Sequence, residues 1–262
     1  MKKTLLLLLS VSLLYSADAQ LSKLFKKRNK NPQNYVKTDA PKEKPDFSKV
    51  NMKERAADHL VLQYGADTWI GKPDSARTGG FSRSFNAYLM FDKPFKTNPY
   101  FSLAYGAGIG SSNIFFDKVN VQVNANSPTL PFSDVSGGIH FNKFKLTTIY
   151  LEIPAEIRYY SNPINPNRSW KLAAGLKAGT LIKAYTKGKD LQDKNNASIY
   201  GSTYIQKTDD SRFINSILVA GTIRVGYGNF SLHSDFQITP VLKAGAGSDI
   251  HTLSIGLTIS GL

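Results

Sequence analysis

The chain has 262 residues and no cysteine, with 33 Lys and Arg against 19 Asp and Glu, a formal charge of +14. The absence of thiols excludes a disulfide framework, a lipidated N-terminal cysteine and thiolate metal sites. The basic excess invites a nucleic-acid reading, but much of it is crowded into one segment behind an export signal, where nucleic acid is not the expected partner.

Residues 1–19 have the three parts of a secretory signal peptide. Lys2 and Lys3 form the basic start, the leucine run 5–9 with Val11, Leu13 and Leu14 forms the apolar centre, and Ala17-Asp18-Ala19 is an A-x-A cleavage site. Cleavage there leaves a mature chain starting at Gln20, and the apolar run is short for a membrane anchor. Residues 20–57 follow as a basic periplasmic linker, predicted mostly disordered. Between residues 23 and 55 it holds eleven Lys and Arg against Asp39, Glu43, Asp46 and Glu54, with Pro32, Pro41 and Pro45. Such a segment is either simply solvated, or an arm that touches anionic lipid head groups or an acidic periplasmic or secretion-machinery protein.

From residue 58 to 262 the hydrophobic period is two. Leu60, Leu62, Tyr64, Ala66 and Ile70 oppose His59, Gln63 and Asp67. Phe85, Ala87, Leu89 and Phe91 oppose Ser84, Asn86 and Tyr88. Phe101, Leu103, Tyr105, Ala107 and Ile109 alternate with Ser102, Gly106, Gly108 and Gly110. The alternation is clearest over 144–160, where Leu151, Ile153, Ala155, Ile157 and Tyr159 oppose Glu152, Glu156, Arg158 and Tyr160. Over 169–185, Trp170, Leu172, Ala174, Leu176, Ala178 and Ile182 oppose Lys171, Lys177 and Lys183. Segment 212–227 sets Phe213, Ile217, Val219, Ile223, Val225 and Tyr227 against Arg212, Ser216, Thr222 and Arg224. Segment 229–239 sets Phe230, Leu232, Phe236 and Ile238 against His233, Asp235, Gln237 and Thr239. The last alternates Leu253, Ile255, Leu257 and Ile259 with Thr252, Ser254, Gly256, Thr258 and Ser260.

These eight segments, with no apolar run long enough for a transmembrane helix, predict an all-β fold: an eight-stranded antiparallel up-and-down transmembrane barrel. The negative mean hydropathy fits, because a barrel strand needs only alternate residues apolar. Connections after Phe91, Tyr160 and Tyr227 are short and carry turn residues, whereas 117–143 and 186–210 are long. Short periplasmic turns and longer outer loops place the N-terminal tail and the C-terminus in the periplasm. A soluble lipocalin-like barrel shares the alternation but points its apolar face inward. The polar face here is mostly Gly, Ser, Thr, Asn and Gln, and aromatics gather near strand ends, which favours the membrane. Tyr159, Trp170, Tyr227, Phe230 and Phe91 are predicted for one girdle, and Trp69, Phe115, Phe116, Phe144 and Tyr185 for the other.

Eight strands enclose a space that side chains fill. Charges there must be paired, which predicts a lumen ion-pair network of Glu152, Glu156, Arg158, Lys171, Lys177, Arg224, His233 and Asp235. Glu152–Lys177 and Arg224–Asp235 are the specific pairs expected, with Glu156 in diagonal reach of Lys171 and Lys177. Gly106, Gly108 and Gly110 leave room for a long neighbour such as Lys177 or Arg224. His233 and Asp235 beside Ser231 or Ser254 have the makings of a hydrolase group, although a histidine within a polar network is the plainer reading. None of His59, His140, His233 and His251 has a metal-ligand spacing, and no metal or cofactor is expected.

Residues 150–160, Tyr-Leu-Glu-Ile-Pro-Ala-Glu-Ile-Arg-Tyr-Tyr, with 171–179, Lys-Leu-Ala-Ala-Gly-Leu-Lys-Ala-Gly, resemble adjacent strands of PorT-like outer-membrane β-barrel proteins of Bacteroidota. The resemblance implies an integral outer-membrane barrel and, through PorT, an accessory place in type IX secretion. The basic tail and the final Leu262 depart from familiar barrel patterns. The reading is a barrel with a filled polar lumen and a structural or interaction role in secretion or envelope attachment, in contact with outer-membrane lipids. A lipid-modifying enzyme and a narrow channel are the alternatives.

Overall fold

The computed structural model describes residues 59–261, so the expected signal peptide and basic linker lie outside the described residues. Its strands are β1 (Leu60–Ile70), β2 (Arg83–Pro94), β3 (Phe101–Phe116), β4 (Val119–Val121), β5 (Phe132–Asp134), β6 (His140–Tyr160), β7 (Trp170–Gln192), β8 (Ile205–Asp209), β9 (Ile217–Tyr227), β10 (Phe230–Gln237) and β11 (His251–Ser260). Eight of them, β1, β2, β3, β6, β7, β9, β10 and β11, pair antiparallel with their neighbours in chain order. β1 pairs with β11 from Val61↔Ser260 to Ile70↔His251, which closes the ring. Closure leaves no sheet edge in the barrel wall, the condition for β-structure in hydrocarbon.

Alternation decides which way each side chain looks. On β6, Glu152, Pro154, Glu156, Arg158 and Tyr160 are buried while Leu151, Ile153, Ala155, Ile157 and Tyr159 are exposed. Leu89, Ile153, Trp170 and Phe230 are each more than 60% exposed, and they belong to a continuous outward apolar belt. A belt of that extent suits lipid and not water. From Ile149 to Tyr159 the outward run on β6 rises roughly 25 Å at ordinary strand rise and barrel tilt, the height of an outer-membrane apolar band.

Two local features shape the wall. Pro154 lies mid-strand without an N–H, and the β3–β6 ladder skips from Tyr105↔Ala155 to Gly108↔Glu152 around it. On the other edge of β6, pairing steps from Ile149↔Lys183 to Tyr150↔Leu181, leaving Ile182 as a bulge. The extra residue puts both Ile182 and Lys183 outside, so Lys183 is not on the lumen row that strict alternation predicts.

The long connections are structured. β4 pairs with β5, and β8 extends the sheet beyond the rim by pairing with the far end of β7. Residues 212–216, expected as strand, are instead lead-in to β9. There Phe213 and Ile214 turn into an apolar cluster at the long-loop end of the barrel. Its sixteen buried residues include Trp69, Ile114, Phe116, Phe144 and Leu146 from strand ends. The loops add Val119, Val121, Leu130, Val241, Leu242 and Ile250. Trp69, Phe116 and Phe144 are therefore not in the interfacial girdle. Each sits on its strand's inward row, and above the polar lumen that row meets apolar loops. Phe115 and Tyr185 do face outward, as do Phe91, Tyr159, Trp170, Tyr227 and Phe230 at the other end.

Candidate functional site

The lumen row brings together the charged residues expected there: the expected Glu152–Lys177 pair forms, and the expected Arg224–Asp235 pair is exchanged for others. Lys177 on β7 is the hub of one group. Its Nζ donates to Asp235 Oδ2 at 2.9 Å and to the Tyr88 hydroxyl at 3.3 Å, and it lies 3.4 Å from Glu152 Oε2. Tyr88 in turn donates to Glu152 Oε2 at 2.6 Å. One ammonium group so holds carboxylates from β6 and β10, three strands apart around the ring. All four residues are at most 7% exposed, where an unpaired charge costs several kcal/mol.

Glu156 on β6 is the hub of the second group. Arg224 grips it with Nε at 3.1 Å and Nη2 at 2.5 Å, a fork-to-fork geometry that lysine cannot supply. Arg158 adds Nε to the same carboxylate at 3.0 Å and places Nη1 3.7 Å from Asp92. Asp92 also accepts from Ser102 at 2.6 Å.

The expected Arg224–Asp235 pair is therefore replaced by Arg224–Glu156 and Asp235–Lys177. Register gives the reason. Arg224 is level with His233, whereas Glu156, Gly175, Thr222 and Asp235 share one row across β6, β7, β9 and β10. Gly175 has no side chain to stand between Glu156 and the long arm reaching from β9. For the same reason Glu156 pairs with neither Lys171 nor Lys177. Lys171 is buried near the turn end, its Nζ 5.7 Å from the centre of the Tyr160 ring.

The β3 glycines leave room for other groups than expected. A Cβ at Gly110 would lie 2.1 Å from Glu152 Oε1, and one at Gly108 would lie 2.5 Å from the Tyr88 ring. The accommodated neighbours are thus Glu152 and Tyr88, not Lys177 or Arg224.

His233 shares a hydrogen bond between Nδ1 and the Thr258 hydroxyl at 3.0 Å, and Thr258 accepts from Gln63, which accepts from Asn86. Ser84 and Ser254 bond each other at 2.8 Å, and Ser112 donates to Asp67. These residues form a polar layer around the wall, and His233 is only 2% exposed within it. Between the Lys177 group and the apolar cap lies a cavity of about 50 Å³ lined by Asp67, Tyr150, Glu152, Lys177, Asp235 and Gln237 among others. It has room for about three water molecules. Among the described residues no cluster of three or more His, Asp and Glu has a metal-holding arrangement.

A closed ring of eight strands with an apolar belt outside and a packed polar interior defines a small integral β-barrel of the outer membrane. The sequence places this chain there as well: residues 60–243 match the family model described as outer membrane protein beta-barrel domain, and the chain belongs to that family. No curated protein matches it. Among solved structures it is similar to Ail, the attachment invasion locus protein of Yersinia pestis, at 12% identity. That match covers 77% of this chain and 94% of the other, with a TM-score of 0.33. The outer membrane enzyme PagL is similar at 11% identity, covering 76% of this chain and 98% of the other with a TM-score of 0.32. At these values neither likeness carries an activity over.

Proposed function

We propose that the protein is a non-conducting barrel whose work is done by its long-loop end, exposed at the cell surface as an interaction or attachment platform. The observation that carries this reading is the double closure of the lumen. Two buried ion groups fill the middle, and the apolar cluster fills the long-loop end. Channel walls are lined by solvated groups, whereas the charged groups here are spent on each other. The orientation follows the asymmetry of connections, with the termini and short turns in the periplasm and the long loops outside.

The enclosure of His233, Asp235 and Ser254 supports interaction over lipid modification, since an acyl chain in the bilayer meets none of them. The secretion-accessory role rests on the PorT-like resemblance of residues 150–160 and 171–179 alone, and a periplasmic partner of the basic linker rests on composition alone.

Two measurements test the reading. In planar bilayers the purified protein is expected to give no unitary conductance steps, and regular ohmic steps would establish the channel instead. Incubated with purified lipid A, it should release no fatty acid, whereas release that disappears in His233→Ala would establish the enzyme.

A further inference from the structure

Immediately past the apolar belt, at the long-loop end, the outer wall turns strongly basic. The outward run of β6 ends at Ile149, and beyond Thr147, which is covered and bonded to Asn113, the next positions on that face are Lys145 and Lys143. Register sets Lys145 opposite Lys187 on β7, and Lys187 opposite Lys207 on β8. Like charges directly opposite on neighbouring strands destabilise a sheet, so an anion that joins such a row relieves the repulsion. Arg83 approaches from β2. Its guanidinium carbon lies 5.2 Å from the centre of the Phe115 ring and Lys145 Nζ lies 5.7 Å from the same centre, so one aromatic ring carries two cations. Lys145 Nζ donates to Asn113 Oδ1 at 2.6 Å, which fixes the ammonium without neutralising it.

The local carboxylates are committed elsewhere. Asp209 serves Lys207 at 3.2 Å and Lys183 at 3.5 Å. Among the described residues none lies within 4 Å of Arg83, Lys145 or Lys187. Beside the row opens a groove of about 430 Å³, lined by Phe81, Arg83, Phe115, Asp117, Lys143 and Phe144 among others. Its one carboxylate is Asp117, and Phe81 remains 54% exposed. Cations above an apolar belt, next to a groove with exposed aromatic surface, suit an anion that arrives attached to a lipid better than one dissolved in water.

We propose that Arg83, Lys145 and Lys187 bind the phosphate of an outer-leaflet lipid whose apolar part lies against Phe81 and Phe115. The assignment to the outer leaflet rests on the orientation proposed above.

The test uses the full chain purified in octyl glucoside, a phosphate-free detergent, with bis-phosphorylated lipid A as probe and retained lipid counted by native mass spectrometry. The wild type is expected to retain lipid A and to discard its dephosphorylated form, with millimolar inorganic phosphate failing to displace it. The triple variant Arg83→Gln, Lys145→Gln, Lys187→Gln should lose about tenfold in retention. A charge-matched control, Lys72→Gln, Lys194→Gln, Lys243→Gln, should lose none. Lys145→Gln alone, a milder change, should give a partial loss and guards against misfolding of the triple variant. Equal retention by wild type and triple variant, or equal loss in the control, would overturn the proposal, and displacement by inorganic phosphate would make this a free-phosphate site. Orientation is read separately by labelling Asn195→Cys with an impermeant maleimide on intact cells, since the chain has no other cysteine. Labelling without lipid retention leaves the orientation standing and the site refuted; absence of labelling removes the outer leaflet from the proposal.

Discussion

Lys177 has two carboxylates and a phenol at its ammonium group, and among the described residues it is the one Lys or Arg within 4 Å of the Asp235 carboxylate. Lys177→Met, which keeps the stem and removes the charge, is expected to destabilise the folded barrel by roughly 3–5 kcal/mol, read as a lowered urea midpoint for unfolding from lipid vesicles. Gly110→Ala tests the same group from the other side, because the new methyl meets the Glu152 carboxylate at a distance no real contact shows. It should cost about 1–3 kcal/mol in the same assay, and pairing it with Glu152→Gln should cost less than the sum. At the rim, Asp190 adopts a positive φ of 61° and accepts from Ser198 at 2.5 Å, Asn142 at 3.0 Å and Gln192 at 2.9 Å. The Ser198 bond first, then Asn142, holds its carboxyl below the ordinary value. A carboxyl with a depressed folded value stabilises above the unfolded value near 4 and loses that contribution as pH falls through the folded one. Protease cleavage in residues 193–200 should therefore rise below about pH 4 while the membrane-embedded strands stay protected. Asp190→Asn, which tolerates the backbone geometry, should raise it already at neutral pH.

At the scale of elements, the barrel strands were legible because each carries its own alternation, a local signal. All eight predicted segments are strands, and the two-residue rhythm assigned the outward side chains of β6 and the first part of β7 residue by residue. What escaped was non-local. The Ile182 bulge inserts one residue and moves Lys183 across the wall, and no residue type announces it. The cap escaped for a related reason. Val119, Leu130, Leu242 and Ile250 are apolar residues scattered through polar connections, and only the folded loops bring them over Trp69 and Phe144. Ile214, with no exposed surface, is the sharpest probe of that layer. Ile214→Ala should cost about 2–5 kcal/mol of local stability, seen as faster hydrogen exchange in residues 119–132 and 240–250 with little change in the belt.

For the whole molecule, the polar lumen was predictable as a set and in one of its two expected pairs, Glu152–Lys177, but not in the other. The residues of the site lie on the inward rows, but which acid meets which base depends on strand register around a closed ring. Arg224 reaches Glu156 past Gly175, a relation invisible until β6, β7 and β9 stand side by side. Function was the least legible level, because neither the alternation nor the lumen set of residues singles out one activity. Ring closure also constrains how the molecule is made. The strand that completes the wall, β11, is the last of the described strands in chain order, and its partner β1 is the first. Until β11 arrives, β1 keeps an unpaired edge. Closure of the wall must therefore await the whole stretch from β1 to β11. A truncation of the ten residues of β11 would leave a membrane-incompetent sheet in place of a slightly smaller barrel.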